Sequence, residues 1–183
     1  MTTLYTVGHG TLAAADFAAL LERAGLEALV DVRSFPGSRR NPQYGREQLE
    51  GWLPASGIVY GWEPRLGGRR KGRPDSRNTA LTHPAFRAYA DHMAEPEFAA
   101  ALRELLDAAA ARPTTVMCSE SVWWRCHRRL LADAAVLLDG TEVVHLFHDG
   151  RRAPHRPTPE ARIEDGHLVY DAGEAPLPGM GAG

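Results

Sequence analysis

The residues with chemistry to offer gather between Thr114 and Leu138, in TTVMCSESVWWRCHRRLLADAAVLL, which holds both cysteines, Cys118 and Cys126, with Glu120, His127 and Arg128 beside them. A thiolate is a nucleophile, a carboxylate or imidazole moves protons, and a guanidinium holds a phosphate or carboxylate. The chemistry on offer is attack on, or capture of, an anionic substrate. The stretch begins as a short β-branched run ending at Cys118 and continues with helical apolar spacing, so Cys118 is expected at a strand-to-helix junction. With the helix beginning near Ser121, positions 123, 126, 127, 130, 134 and 137 share one face. That assigns Cys126 a packing role, since free cysteine is among the most buried residue types. Cys118 is then the candidate nucleophile, with Glu120 or His9 as acid or base.

A helix terminus stabilises an anion by about 0.3–1 kcal/mol, less than the roughly 1.4 kcal/mol that one pKa unit represents, so the dipole alone cannot activate Cys118. Arg125, Arg128, Arg33 and Arg39 are the candidates to supply the remainder. Zinc is argued against by the small number of cysteines and by the adjacency of Cys126 and His127, which on one helix would stand about 100° apart. A tyrosine-phosphatase loop needs five residues between cysteine and arginine, whereas six separate Cys118 from Arg125. A reversible Cys118–Cys126 disulfide would have to draw Cys126 out of the core.

The elements that must position these groups follow the pattern of an α/β chain. Thr3 to Val7 reads as a strand, Gly8-His9-Gly10 as a sharp turn, and Leu12 to Ala24 as an amphipathic helix closed by Gly25. Leu29 to Val32 is a second strand, so the chain opens β-α-β with parallel pairing. Its exit, from Asp31 to Pro42, carries Arg33, Ser38, Arg39 and Arg40 at the carboxyl end of a parallel strand, where open α/β sheets bind ligands. Arg46 to Leu53 reads as a helix and Gly57 to Tyr60 as a third strand. Next comes Leu66-Gly67-Gly68-Arg69-Arg70-Lys71, whose adjacent glycines and basic residues suit a flap that faces a phosphate. Helices are expected over Pro84 to His92 and Pro96 to Ala111, and strands over Thr115 to Met117 and Glu142 to Phe147.

The expected fold is therefore a three-layer α/β domain over residues 1–150, Rossmann-like, with a mostly parallel five-stranded sheet and helices on both faces. An Arg/Pro-rich extension over 151–183 follows, with a hairpin at 161–171 turning at Asp165-Gly166 and a disordered end, PLPGMGAG. The 183 residues suffice for one core without a disulfide. With 21 basic and 23 acidic residues the formal charge is −2, which excludes a generic polyanion binder and makes any basic site local. No apolar run of about 18 residues and no signal-peptide pattern occurs, so a soluble, cytoplasmic protein with free thiols is expected, without membrane contact, cofactor or metal.

Thr6-Val7-Gly8-His9, Asp31-Val32-Arg33 with Pro36 and Ser38-Arg39, Leu66-Gly67-Gly68, and Cys118-x-Glu120 followed by Cys126-His127-Arg128 run in the order found in the domain of unknown function 488 family, which the chain resembles over about residues 4 to 148. The resemblance implies a compact α/β domain with a cleft lined by arginine, histidine and cysteine, and it leans towards nucleotide or nucleic-acid chemistry. Gly10 departs from the small hydroxyl residue usual there, and Trp123 from a proline. Trp123 offers either core packing or a stacking face. Together these readings assign Cys118, Glu120 and His9 to catalysis; Arg33, Ser38, Arg39, Gly67, Gly68, Arg69 and Arg128 to substrate binding; and Asp31, Cys126 and His127 to support of the site. The expected partner is an anionic small molecule or nucleic acid. A non-catalytic binding module and a redox-sensing thiol pair are the alternatives.

Overall fold

A computed structural model describes residues 2–171. Among these residues, eight strands and five α-helices follow in the order β1 (Thr3–Gly8), α1 (Ala14–Arg23), β2 (Ala28–Asp31), α2 (Arg46–Ala55), β3 (Val59–Trp62), α3 (Pro84–Met93), α4 (Pro96–Ala111), β4 (Thr114–Cys118), α5 (Arg128–Asp139), β5 (Glu142–Leu146), β6 (Arg152–Pro154), β7 (Ala161–Glu164) and β8 (His167–Tyr170). The main sheet has the order β3-β2-β4-β1-β5-β6, parallel except for β6, and β7 and β8 form the expected hairpin.

The apolar spacing works as read. In α1, Phe17, Leu20 and Leu21 are buried on one face, and the chain leaves the helix through Gly25 at φ 72°, a left-handed conformation that glycine adopts without steric cost. That face packs with Leu49 and Leu53 of α2 and Met117 of β4 on one side of the sheet. Phe98, Leu102 and Leu105 of α4 and Leu130, Leu131 and Ala134 of α5 fill the other side with Leu4 and Val116. Helices thus cover both faces, giving the three layers.

Three features differ from the sequence reading. The main sheet has six strands, because Arg152–Pro154 pairs antiparallel with β5. β1 and β2 are parallel but not neighbours, since β4 lies between them and pairs with both. The order therefore departs from the 3-2-1-4-5-6 of the dinucleotide-binding fold. Finally, residues 152–170 are packed onto the domain rather than appended to it: Tyr170 is buried, its backbone N–H donates to Asn78 Oδ1 at 3.0 Å, and its hydroxyl donates to Asp133 at 2.9 Å. The expectation of a disordered PLPGMGAG end lies outside the described residues. No helix among the described residues is long and apolar enough to cross a membrane.

Candidate functional site

The carboxyl ends of β1, β2 and β4 stand side by side, with Gly8 in register with Cys118 and Asp31 with Met117. The loops that leave them enclose a cavity of about 690 Å³ whose lining includes His9, Arg33, Ser38, Arg40, Gly68, Arg69, Cys118, Glu120, Arg125, Cys126 and His127. Three stretches far apart in sequence thus meet at one mouth, and the fold puts them there by placing β4 between β1 and β2.

The segment after Cys118 is the largest departure from expectation. Residues 119–127 are irregular with a single 3-10 turn at Trp123–Arg125, and α5 begins only at Arg128. Cys118 therefore does not sit at a helix N-terminus, and the helix dipole cannot be its activator. Two contacts hold the segment out of the helix. The buried Arg128 guanidinium donates to the Glu120 carbonyl, and Trp123 stacks on His145 with ring centroids 4.1 Å apart. Trp123 is thus a packing residue. Because Cys126 is extended (φ −128°, ψ 153°), it and His127 turn their side chains to the same place, with Sγ and Nδ1 3.6 Å apart. The adjacency argument against a shared ion does not hold, and Cys126 shares the cavity with Cys118 instead of lying on a helix face.

Cys118 Sγ lies 3.9 Å from the same His127 Nδ1, and His127 Nε2 lies 3.0 Å from the Val32 carbonyl. A carbonyl can only accept, so Nε2 carries a proton and Nδ1 faces both sulfurs. The hydrogen bond it gives to Cys126, then burial, push the Cys118 thiol well above its ordinary range. Burial pulls Cys126 the same way, but that hydrogen bond and the charges of His127 and Arg128 outweigh it and hold Cys126 well below. Arg128 Nε stands 3.5 Å from Cys126 Sγ, and Arg128 is in no ion pair among the described residues although it is only 1% exposed. A buried cation needs a counter-charge, and the Cys126 sulfur is the group placed to supply it. Arg128 thus reaches a sulfur, the Glu120 carbonyl and the Thr6 hydroxyl, and does not line the cavity.

Arg33 is held on three sides. It forms a forked ion pair with Asp31, at 2.8 and 2.6 Å, and donates to the Tyr44 carbonyl at 2.7 Å. Its remaining nitrogen lies 3.3 Å from His9 Nε2, while His9 Nδ1 donates to the Gly10 carbonyl at 2.8 Å. Burial first, opposed by that hydrogen bond, and then Arg33 push His9 down to about 4. It is neutral at pH 7, with its one lone pair turned to Arg33, which makes it a positioning group for the guanidinium rather than a proton donor. The Glu120 carboxylate is exposed and has no ion-pair partner among the described residues, since Arg128 takes its carbonyl instead.

Among the other expected residues, Ser38 lines the cavity and its hydroxyl accepts from Asn41 N at 3.1 Å. Arg39 is not among the residues that line the cavity, whereas Arg40 is. Gly67 packs against Ser34, where a Cβ would lie 2.9 Å from the Ser34 Cα, so its role is close approach and not ligand contact. Gly68 lies against the His127 ring in the same way, and the Arg69 N–H donates to Ser34 Oγ at 3.0 Å. The sequence placed Arg40 on the ligand-side loop without a role, and it offered no signal for Phe35 of that loop or Phe86 of α3, which also reach the lining.

With the geometry established, the chain can be compared with known families. Residues 13–135 match the family described as Domain of unknown function DUF488. The chain belongs to that family. No curated protein and no solved structure matches it. The DUF488 match covers Arg33, Arg69, the Cys118–Glu120 pair and Cys126-His127-Arg128, and His9 lies just ahead of it.

Behind the DUF488 site, Thr6 Oγ1 meets His145 Nδ1 at 2.7 Å, and His145 Nε2 meets His155 Nδ1 at 2.9 Å. Burial first, then His155, push His145 down to about 3. A histidine held neutral is protonated in the unfolded chain from about pH 6.5 downward, while the folded chain refuses the proton until about 4 for His9 and 3 for His145. Stability is thus full above pH 6.5, falls with acid through that window, and levels below it. Melting temperatures from pH 7 to 4 should show a steeper decline for the wild type than for His145→Gln. Equal slopes would remove His145 from the account.

Proposed function

We propose that the cleft binds a phosphate-bearing ligand, a nucleotide or nucleic-acid end, and presents it to the Cys118–Cys126 pair. The observation that carries this is the charge of the lining: four arginines, Arg33, Arg40, Arg69 and Arg125, against one carboxylate, Glu120. Arg33 is satisfied by Asp31, whereas Arg40, Arg69 and Arg125 have no carboxylate partner among the described residues. Unpaired guanidinium groups around a cavity are placed for charge-assisted, forked hydrogen bonds to phosphate oxygens. A volume of about 690 Å³ suits a nucleotide-sized ligand rather than a bare ion. Phe35, 73% exposed at the mouth with the Arg69 guanidinium 5.9 Å from its ring, offers a base a stacking face.

Cys118 is favoured less as the reactive sulfur than the sequence suggests, because its proton is held towards Cys126. Alkylation should mark Cys126 first if one thiolate is present. If neither Cys118→Ala nor Cys126→Ala alters any ligand-dependent activity, the cleft is a binding module and not a catalytic one.

A thermal-shift screen with nucleotides, sugar phosphates and short oligonucleotides tests the reading, since a ligand at 100 times its Kd adds about 2.7 kcal/mol of stability. Arg69→Ala should weaken the best ligand about ten- to hundredfold, the loss of one hydrogen bond to a charged group. An unchanged Kd in Arg69→Ala, Arg40→Ala and Arg125→Ala together would overturn it. A nucleic-acid ligand should also dissociate steeply as salt rises.

A further inference from the structure

Cys118 Sγ, Cys126 Sγ and His127 Nδ1 all lie within 4.8 Å of one another, and all three residues are buried at the floor of the cleft. We propose that these three atoms form a binding site for a thiolate-seeking metal ion of the zinc class, with its fourth position open to the cleft. The inference goes beyond anion binding and does not depend on it.

The spacing fits the ion. Tetrahedral zinc with bonds of about 2.3 Å to sulfur and 2.0 Å to nitrogen sets its ligands about 3.6 Å apart for S···N and about 3.8 Å for S···S. The S···N separations here are 3.6 Å for Cys126 and 3.9 Å for Cys118, within a few tenths of an ångström of those values, and the two sulfurs, within 4.8 Å of each other, close to about 3.8 Å by side-chain rotation when an ion enters. The imidazole is already turned for the task. Its Nε2–H is fixed on the Val32 carbonyl at 3.0 Å, the outer partner that a metal-bound histidine normally has, and this leaves Nδ1 facing the sulfurs. Arg128 Nε, 3.5 Å from Cys126 Sγ, serves the same purpose for a thiolate.

Charge and chemistry agree. Two thiolates cancel the charge of a divalent ion, and Arg128 then keeps its hydrogen bond to the Cys126 sulfur while adding one positive charge beside the site, which favours an anionic fourth ligand. Sulfur and imidazole select zinc over magnesium or calcium, which take oxygen. Gly68 closes the imidazole from above: a Cβ there would lie 2.5 Å from His127 Nδ1, so only glycine leaves room for an ion beside that nitrogen. With three protein ligands and an open face the site has the coordination of catalytic rather than structural zinc. A phosphate oxygen or a water would complete it, and the ion, rather than a sulfur nucleophile, would meet the ligand.

The test uses the whole chain, reduced and stripped with a chelator, titrated with Zn²⁺ against a chromophoric chelator. One equivalent should bind, and Co²⁺ should give thiolate charge-transfer absorption with the strong visible bands of tetrahedral cobalt. Cys118→Ser, Cys126→Ser and His127→Gln should each weaken Zn²⁺ by more than the roughly 10- to 100-fold that loss of an outer partner costs. Arg103→Ala, in α4 and outside the cavity lining, should bind as the wild type does. If a serine variant does not fold, iodoacetamide labelling of the wild type decides: Zn²⁺ should protect both cysteines. Absence of stoichiometric Zn²⁺ binding, retention of it in the folded serine variants, or alkylation unaffected by Zn²⁺ overturns the site. Phosphate-ligand binding by the stripped chain separates the two proposals. Anion binding without zinc binding overturns only this one, and zinc binding without anion binding overturns only the anion reading.

Discussion

Asp133→Ala is expected to cost about 3–5 kcal/mol of stability, since it leaves three buried donors without an acceptor at about 1–3 kcal/mol each, less than additively. The carboxylate is fully buried in α5 and accepts from His155 Nε2 at 2.8 Å, Thr158 N at 2.9 Å and the Tyr170 hydroxyl at 2.9 Å. Alanine leaves all three without an acceptor in a place water does not reach, and each is a group whose desolvation is then unrewarded. These are also the contacts that hold the segment after β6, and with it the β7–β8 hairpin, on the domain, so the hairpin should loosen as a unit. At about 2–4 °C per kcal/mol for a chain of this size, the melting temperature should drop by roughly 6–20 °C. Tyr170→Phe deletes only one of the bonds, to a charged acceptor, and should cost about 1.5–3 kcal/mol. Chemical denaturation of the two variants checks the ratio. Equal losses would mean that the cluster does not act through Asp133.

Gly8→Ala should affect the cleft most. Gly8 ends β1 opposite Cys118, and a Cβ there would overlap the Glu120 carbonyl and lie 2.7 Å from the Arg128 guanidinium. The obstacle is backbone, so the 119–121 loop must move. Overpacking of this kind costs about 1–3 kcal/mol, sometimes more. The loop also carries Ser119, Glu120 and Ser121 of the lining, and misplacing a site by about 1 Å can lower a catalysed rate about a hundredfold. Ligand affinity, or any rate the cleft supports, should therefore fall more than the stability loss predicts. Gly51→Ala is the contrast. It lies within α2 with nothing inside 4 Å of an added Cβ, and alanine should stabilise that helix by about 0.5–1 kcal/mol. If Gly8→Ala melts and binds as Gly51→Ala does, the close packing of β1 on the loop is not what shapes the cleft.

Much of the fold was legible because its causes are local. The bounds of α4 agree with the sequence reading, Pro96 to Ala111, since the proline opens the helix and Phe98, Leu102, Leu105 and Leu106 mark its buried face. The hairpin followed from Asp165-Gly166, where both residues take positive φ. Arg33, Ser38, Gly68, Arg69, Cys118, Glu120, Cys126 and His127 were all named from the sequence and all line the cavity.

Their partners were less legible. Helical periodicity continues back from Arg128 through Trp123, yet the chain there is not helical, because Arg128 captures the Glu120 carbonyl and Trp123 stacks on His145, twenty-two positions further on. That single difference moves Cys126 from a helix face into the cleft and brings its sulfur, the Cys118 sulfur and the His127 nitrogen together. It also takes Arg128 out of the lining, where Arg40 and Arg125 appear beside Arg69. The sequence by itself determined the α/β class, the cleft at the strand ends and the residue types within it, because spacing and turn chemistry act over a few residues. Only the tertiary structure decided which of those groups touch. Contacts of β1 with β4, β5 and the 119–127 segment join residues more than a hundred positions apart, and no local pattern encodes which of them meet.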